Sequence, residues 1–156
     1  MEKRYITYGL SSQADYTARY ISIEGLKTYF NVFCRGKDLG RIRSGALGRH
    51  NVLNTLAAVA VGMELDIDFK IIANSLLKFE GVQRRFEIVK QSDEFILIDD
   101  YGHHPAEIKA CLKTAKEVWP TRRLVVIFQP HRYSRTKSLM KDFWSAFNDA
   151  DHLFVM

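Results

Sequence analysis

The spacing of apolar residues changes twice along the chain. From Ile6 to Arg43 the apolar residues are β-branched or aromatic and come in short runs ended by glycines. ITYGL reads as a short strand stopped by Gly9. Residues 20–34 carry Tyr20, Ile21, Ile23, Tyr29, Phe30, Val32 and Phe33, and Gly25 divides the run into two strands with a turn between them. Gly36 to Gly40 predicts a further turn, followed by a short strand around Arg41–Arg43. After Gly48 the spacing becomes helical, with Val52, Leu53, Leu56, Val59, Ala60 and Met63 on one face. This predicts a helix from Arg49–Asn51 to Glu64. A second helix is predicted from Asp68 to Lys78, with Phe69, Ile72, Ala73, Leu76 and Leu77 facing inward and Asp66 suited to cap it.

Gly81 ends that pattern, and from Phe86 strands alternate with helices. Phe86–Val89 and Phe95–Ile98 read as strands joined by a hairpin turn over residues 91–94. Pro105 to Trp119 is helical, with Ile108, Leu112, Ala115 and Trp119 on one face and Pro105 in the first turn, where its missing N–H costs nothing. Leu124–Phe128 is an unbroken apolar run, the pattern of a central strand covered on both faces. Thr136 to Asn148 predicts a helix facing inward with Leu139, Met140, Phe143 and Phe147, and His152–Met156 begins another strand. Alternating strands and helices predict a parallel α/β sheet. The fold class is therefore α/β: a β-rich segment plus two helices over residues 1–82, then a partial parallel-sheet domain over 83–156. The last strand has no helix to cover it, which reads as a domain that continues in a longer protein.

Composition narrows the function classes. Hydrophobic residues make up 47% of 156, enough for a packed core, and no apolar run is long enough to span a bilayer. Cys34 and Cys111 read as reduced, buried thiols, so a cytoplasmic protein with no membrane partner is expected. The net charge is +5, but the basic residues are scattered in short clusters and are not interleaved with aromatics as on an RNA-binding sheet. No nucleic acid is expected as partner; a compact phosphate or carboxylate fits better.

Polar clusters follow the two central strands of the second half, where open α/β sheets bind ligands. One is Asp99, Asp100, Tyr101, Gly102, His103 and His104; the other runs from Gln129 through His131, Arg132, Tyr133 and Ser134 to Arg135. One crossover helix joins the strands, so they are expected as neighbours whose loops share a rim. Arg132 and Arg135 are forked cations suited to a carboxylate or phosphate. The helix predicted after them would add its positive end to the same field. His103 can donate hydrogen bonds or transfer a proton near neutral pH. Asp99 and Asp100 could orient a sugar hydroxyl, an amine or a metal, or only cap the following turn. Asn51 and Asn54, three apart at a helix start, share a face and could pair with a heterocycle edge, although asparagine there commonly serves as a cap. Arg84 and Arg85 sit at the junction of the halves, as ligand-binding or merely solvated residues. The sequence contains no G-x-x-x-x-G-K-[ST] phosphate loop, no G-x-G-x-x-G, no G-x-S-x-G and no paired-cysteine zinc spacing, and no metal site is expected within it.

GRHNVLNTLAAVAV, GVQRRFEIV, IDDYGHHPAEIKACL and VIFQPHRYSRT, in this order, resemble the Mur ligase family. The resemblance implies the end of a central ATPase domain over 1–82 and the first half of a Rossmann-like amino-acid-binding domain over 83–156. It also implies ATP and Mg²⁺ as cofactors, with the metal ligands outside this chain. DDYGHHP together with FQPHRYSRT is most similar to the members that join UDP-N-acetylmuramate to L-alanine through an acyl phosphate in peptidoglycan synthesis.

By position, the resemblance implies His50, Asn51 and Asn54 on the adenine side, Arg85 near the nucleotide phosphates and Asp100 near the ribose. It implies Tyr101 and His131 as substrate contacts, and His103, Arg132 and Arg135 at the reaction centre. Without the phosphate loop, magnesium ligands or UDP-binding domain, this chain alone is expected to be inactive. Other readings are a non-catalytic nucleotide- or anion-binding module derived from such a ligase, and the relative that recycles murein peptide, whose later loop does not usually read HRYSR.

Overall fold

The computed structural model describes residues 5–79 and 81–156. The chain divides between Gly81 and Val82 into two compact units. In the first, strands β1 (Tyr8–Gly9), β2 (Tyr16–Glu24), β3 (Lys27–Cys34) and β4 (Lys37–Ser44) precede helices α1 (Arg49–Glu64) and α2 (Phe69–Lys78). The sheet order is β1-β2-β3-β4, with β1 parallel to β2 and the rest antiparallel. Alternation along β3 separates two faces. Thr28, Phe30 and Val32 point into a core shared with Ile42, Val52, Leu56 and Val59. On the opposite face, Arg41 and Arg43 lie over the Tyr29 ring and Arg19 over Phe33.

β4 is longer than its sequence suggests. The turn between Cys34 and Lys37 uses only Arg35 and Gly36, both at positive φ (48° and 85°), the conformation that suits a two-residue hairpin. Gly40 therefore falls inside the strand, next to a register shift at Val32/Phe33. Its φ is 130°, and a Cβ there would meet the Phe69 ring at 3.0 Å. The cap of α2 is Asp68, not Asp66: the Asp68 carboxylate accepts from the Lys70 N–H at 2.8 Å. Asp66 instead takes a left-handed conformation (φ 57°) in the connector.

In the second unit β5 (Glu87–Gln91) and β6 (Ile96–Asp99) form an antiparallel hairpin. Helix α3 (Pro105–Val118) leads to β7 (Val125–Phe128), then α4 (Tyr133–Ser138), α5 (Met140–Ala146) and β8 (His152–Val155), which pairs parallel to β7. Ile108, Leu112, Phe143 and Ala146 form the core, with Leu124, Val126 and Phe128 packed against it. Phe86 stacks on Trp119 at 6.2 Å.

The expected neighbours β6 and β7 are not hydrogen-bonded: each pairs with another strand, in separate two-stranded sheets. Phe95, Ile96 and Ile98 from the hairpin, Leu124 and Val125 from the β7 segment, and Ala115 and Trp119 line a cavity of about 370 Å³. β7 is covered on one face only. Val126 and Phe128 meet the helices, while Val125 and Ile127 are exposed, because no second helical layer lies across that face among the described residues. The expected helix over 136–148 is two short ones. Leu139 N–H closes α4 on the Arg135 carbonyl at 2.9 Å, and its own carbonyl accepts from Asp142 and Phe143 to begin α5. No helix of the described residues is long and apolar enough to cross a membrane.

Gly40→Ala adds a Cβ at a left-handed position against an aromatic ring, and is expected to cost about 1–3 kcal/mol in urea denaturation. The Asp15 carboxylate accepts from the Thr7 N–H and hydroxyl and from Arg35, and these bonds lower its pKa from 3.8 to about 2. The folded value lies below the unfolded one. Its stabilisation is therefore complete above the unfolded pKa and is lost as pH falls through the folded one. Asp15→Asn should lower stability near neutrality, and the difference from the wild type should shrink as pH falls towards 2, because the lost contribution is present only while the carboxylate is ionised.

Candidate functional site

Two groups of side chains carry the candidate chemistry, one in each unit. In the first, Gly48 takes φ 91° and starts α1 without a side-chain cap. His50 and Asn51 are half-buried in the first turn and Asn54 is exposed one turn on. The Asn54 amide donates to the Asn51 side-chain oxygen at 3.1 Å, and the Asn51 amide donates to the Leu47 carbonyl at 2.8 Å. The pair expected on one face is thus in direct contact and oriented by the backbone. Asn51 does not serve as the N-cap.

In the second unit the loop after β6 is built around two carboxylates. Asp100 accepts from the Phe86 N–H at 2.8 Å and from the Gly102 N–H at 2.6 Å. Burial first, and then the Asp100 carboxylate beside it, push the Cys111 thiol up to about 12. Asp100 therefore ties the 84–86 segment, its own loop and α3 together. Arg84 and Phe86 both take positive φ (57° and 51°), a strained conformation that these bonds hold. The Tyr101 N–H donates to the Arg84 carbonyl at 2.7 Å, and the Arg84 guanidinium pairs with Asp99 at 3.1 Å over the Tyr101 ring.

Glu107 is the second carboxylate, and the sequence reading missed it. Its Oε2 accepts from the backbone N–H groups of His103 and His104, each at 3.1 Å. Its Oε1 lies 3.4 Å from the Arg85 guanidinium. Burial alone would raise its pKa. The two backbone donors, then the charges of His103 and Arg85, outweigh burial and hold it below the ordinary carboxylate value. The signal was in the sequence: His104-Pro105-Ala106-Glu107 has the spacing of a capping box, with the acid at the third helical position.

The His103 ring nitrogen Nδ1 is 2.9 Å from the Tyr101 carbonyl. A carbonyl only accepts, so the neutral ring carries its proton on Nδ1 and its lone pair on Nε2. The His131–Arg135 segment is exposed apart from the half-buried Arg135. Arg132 takes φ 65°, and Arg135 reaches back to the His131 carbonyl at 3.5 Å. No hydrogen bond or ion pair among the described residues joins this segment to the Asp99–His104 loop, so strand pairing does not bring the expected rim together. No three His, Cys, Asp or Glu side chains among the described residues are grouped to hold a metal ion.

Residues 1–62 match the Mur ligase middle domain, and residues 84–156 match the family's C-terminal domain, described as the glutamate ligase domain. The chain belongs to the Mur ligase family. It is 53% identical over 154 residues to a UDP-N-acetylmuramate–L-alanine ligase of Syntrophotalea carbinolica, covering 99% of this chain and 33% of that protein. The crystal structure of a UDP-N-acetylmuramate–alanine ligase from Thermotoga maritima superposes with a TM-score of 0.83 at 36% identity, covering 96% of this chain and 33% of that one. A murein peptide ligase from Psychrobacter arcticus superposes less well, with a TM-score of 0.59 at 27% identity over 96% of this chain and 31% of that one. The chain spans about a third of the length of the curated relatives that it matches.

Asp100→Ala leaves the Phe86 and Gly102 N–H groups without their acceptor and should cost about 1–3 kcal/mol in chemical denaturation. In the folded chain Cys111 should resist iodoacetamide at mildly alkaline pH and label readily once unfolded. Labelling at equal rates in both states would refute its burial against Asp100.

Proposed function

We propose that this chain is a segment of an ATP-dependent ligase that joins the carboxylate of UDP-N-acetylmuramate to the amine of L-alanine. The observation that carries the reading is DDYGHHP followed by FQPHRYSRT, in a chain about half identical across nearly its whole length to ligases of that name. The higher identity and tighter superposition on the alanine ligase favour it over the murein-peptide relative.

In this reading residues 1–82 are the later part of the central ATPase domain and 83–156 the first part of the amino-acid-binding domain. The protein works in the cytoplasm on peptidoglycan precursors. ATP phosphorylates the muramate carboxylate, giving an acyl phosphate and ADP. The alanine amine then attacks the acyl carbon, and phosphate leaves as the amide forms. The alanine nitrogen must shed a proton before or as it attacks, and His103 Nε2 is a base with a free lone pair for it. Arg132 and Arg135 hold the alanine carboxylate and offset charge on the tetrahedral intermediate, while Tyr101 and His131 contact substrate.

On the nucleotide side, the Asn51–Asn54 pair and His50 face the adenine, and Arg85 neutralises the nucleotide phosphates. The Asp100 carboxylate, already bonded to Phe86 and Gly102, keeps lone pairs for a ribose hydroxyl. Mg²⁺ takes its ligands from the remainder of the ligase, and no step assigned to these residues passes through it.

In the full-length ligase, Arg132→Ala should lower kcat/KM for L-alanine about 100-fold. Unchanged alanine turnover would remove Arg132 from the reaction centre. The 156-residue chain itself should show no micromolar ATP binding by calorimetry, since its sequence has no phosphate loop. Tight binding would favour a self-sufficient nucleotide module instead.

A further inference from the structure

We propose that Glu107 is a positioning residue that locks the His103 imidazole and the Arg85 guanidinium to the start of α3, so that His103 presents Nε2 as its only basic nitrogen. This deepens the ligase reading and rests on it for the role of Nε2, but the geometry stands independently.

Three contacts converge on one side chain. Glu107 Oε2 accepts the His103 and His104 N–H groups, which fixes the backbone that carries the ring. The same oxygen lies 3.8 Å from His103 Nδ1, and the Tyr101 carbonyl lies 2.9 Å from that nitrogen. Nδ1 thus faces a carbonyl and a carboxylate, both acceptors, and each favours the proton there. The Tyr101 ring, edge-on to the imidazole at 5.0 Å, limits its rotation. Glu107 Oε1 holds Arg85 at 3.4 Å. One carboxylate thereby reinforces the tautomer that the Tyr101 carbonyl favours in a proposed base, and holds a proposed phosphate-binding cation in position. A simple helix cap needs only the backbone bonds. The second oxygen on Arg85 and the approach to Nδ1 are what capping leaves unexplained.

Glu107→Gln separates the two roles. Its amide oxygen can still accept the backbone N–H groups, so the cap and the melting temperature should be kept. Its neutral amide removes the charge beside Nδ1 and the partner of Arg85. In ¹⁵N long-range spectra of the 156-residue chain, with the His103 signals assigned by His103→Gln, the wild type should show a protonated Nδ1 and a bare Nε2. Glu107→Gln should raise the Nε2–H fraction at His103 and leave the other histidines unchanged, and Glu107→Ala should raise it further. In the full-length ligase, Glu107→Gln should lower kcat about tenfold, in the range of other residues that orient a functional group through a hydrogen bond.

An unaltered His103 spectrum in Glu107→Gln overturns the proposal whatever the activity, and so does a wild-type kcat in an active ligase. If the full-length wild type fails to turn over alanine while the spectral shift is seen, the ligase reading fails and the positioning of His103 stands.

Discussion

The second unit depends on the Asp100 carboxylate and the two backbone N–H groups that it accepts, from Phe86 and Gly102. The residue before β5 and the loop after β6 meet at this point, and each would otherwise leave a backbone N–H without this partner. The bond to Phe86 holds a residue at φ 51° and seats its ring on Trp119, so a polar contact at the loop also places part of the apolar core. Arg84 and Arg85 belong to that strained segment. Their orientation, towards Asp99 and Glu107 respectively, follows from the same constraint.

A division of labour follows among the four acidic residues of this region. Asp99 and Glu107 face cations, and Asp100 faces backbone donors and a half-buried thiol. The positive charge of the two arginines is thereby held in place by short-range partners and not simply spread over a flexible surface. Glu87 completes the set by accepting the Arg84 N–H at 2.7 Å. An anion approaching this loop meets guanidinium groups whose conformational freedom has already been reduced, which lowers the entropy lost on binding. The His131–Arg135 segment differs. Arg132 and Tyr133 project from a short exposed helix start, and only Arg135 is tied back, to the His131 carbonyl.

The first unit shows how far local patterning carries. The alternation in β3 and the helical spacing in α1 are strong because one face of each is buried against the other: Phe30, Val32, Ile42 and Leu56 are all fully enclosed. Where the pattern misled, the cause was a backbone conformation that residue type only loosely encodes. Gly36 and Gly40 look alike in sequence, yet one closes a hairpin and the other lies inside a strand against Phe69. Asp66 looks suited to cap α2, but it sits in the connector's left-handed turn and Asp68 caps the helix instead.

The sequence by itself determined the order and type of nearly every element and the motif residues that follow the strands, because hydrophobic spacing and glycine placement act over a few neighbours. It also contained the capping-box spacing that marks Glu107. Tertiary structure alone decided which strands pair, since β6 and β7 each bond elsewhere despite the helix that links them. It alone showed that β7 is covered on one face and that a helix read as continuous breaks at Leu139. It alone gave His103 its tautomer and Asp100 its partners. Pairing, coverage and protonation depend on groups brought together from distant parts of the chain, and no local pattern records which distant group will arrive.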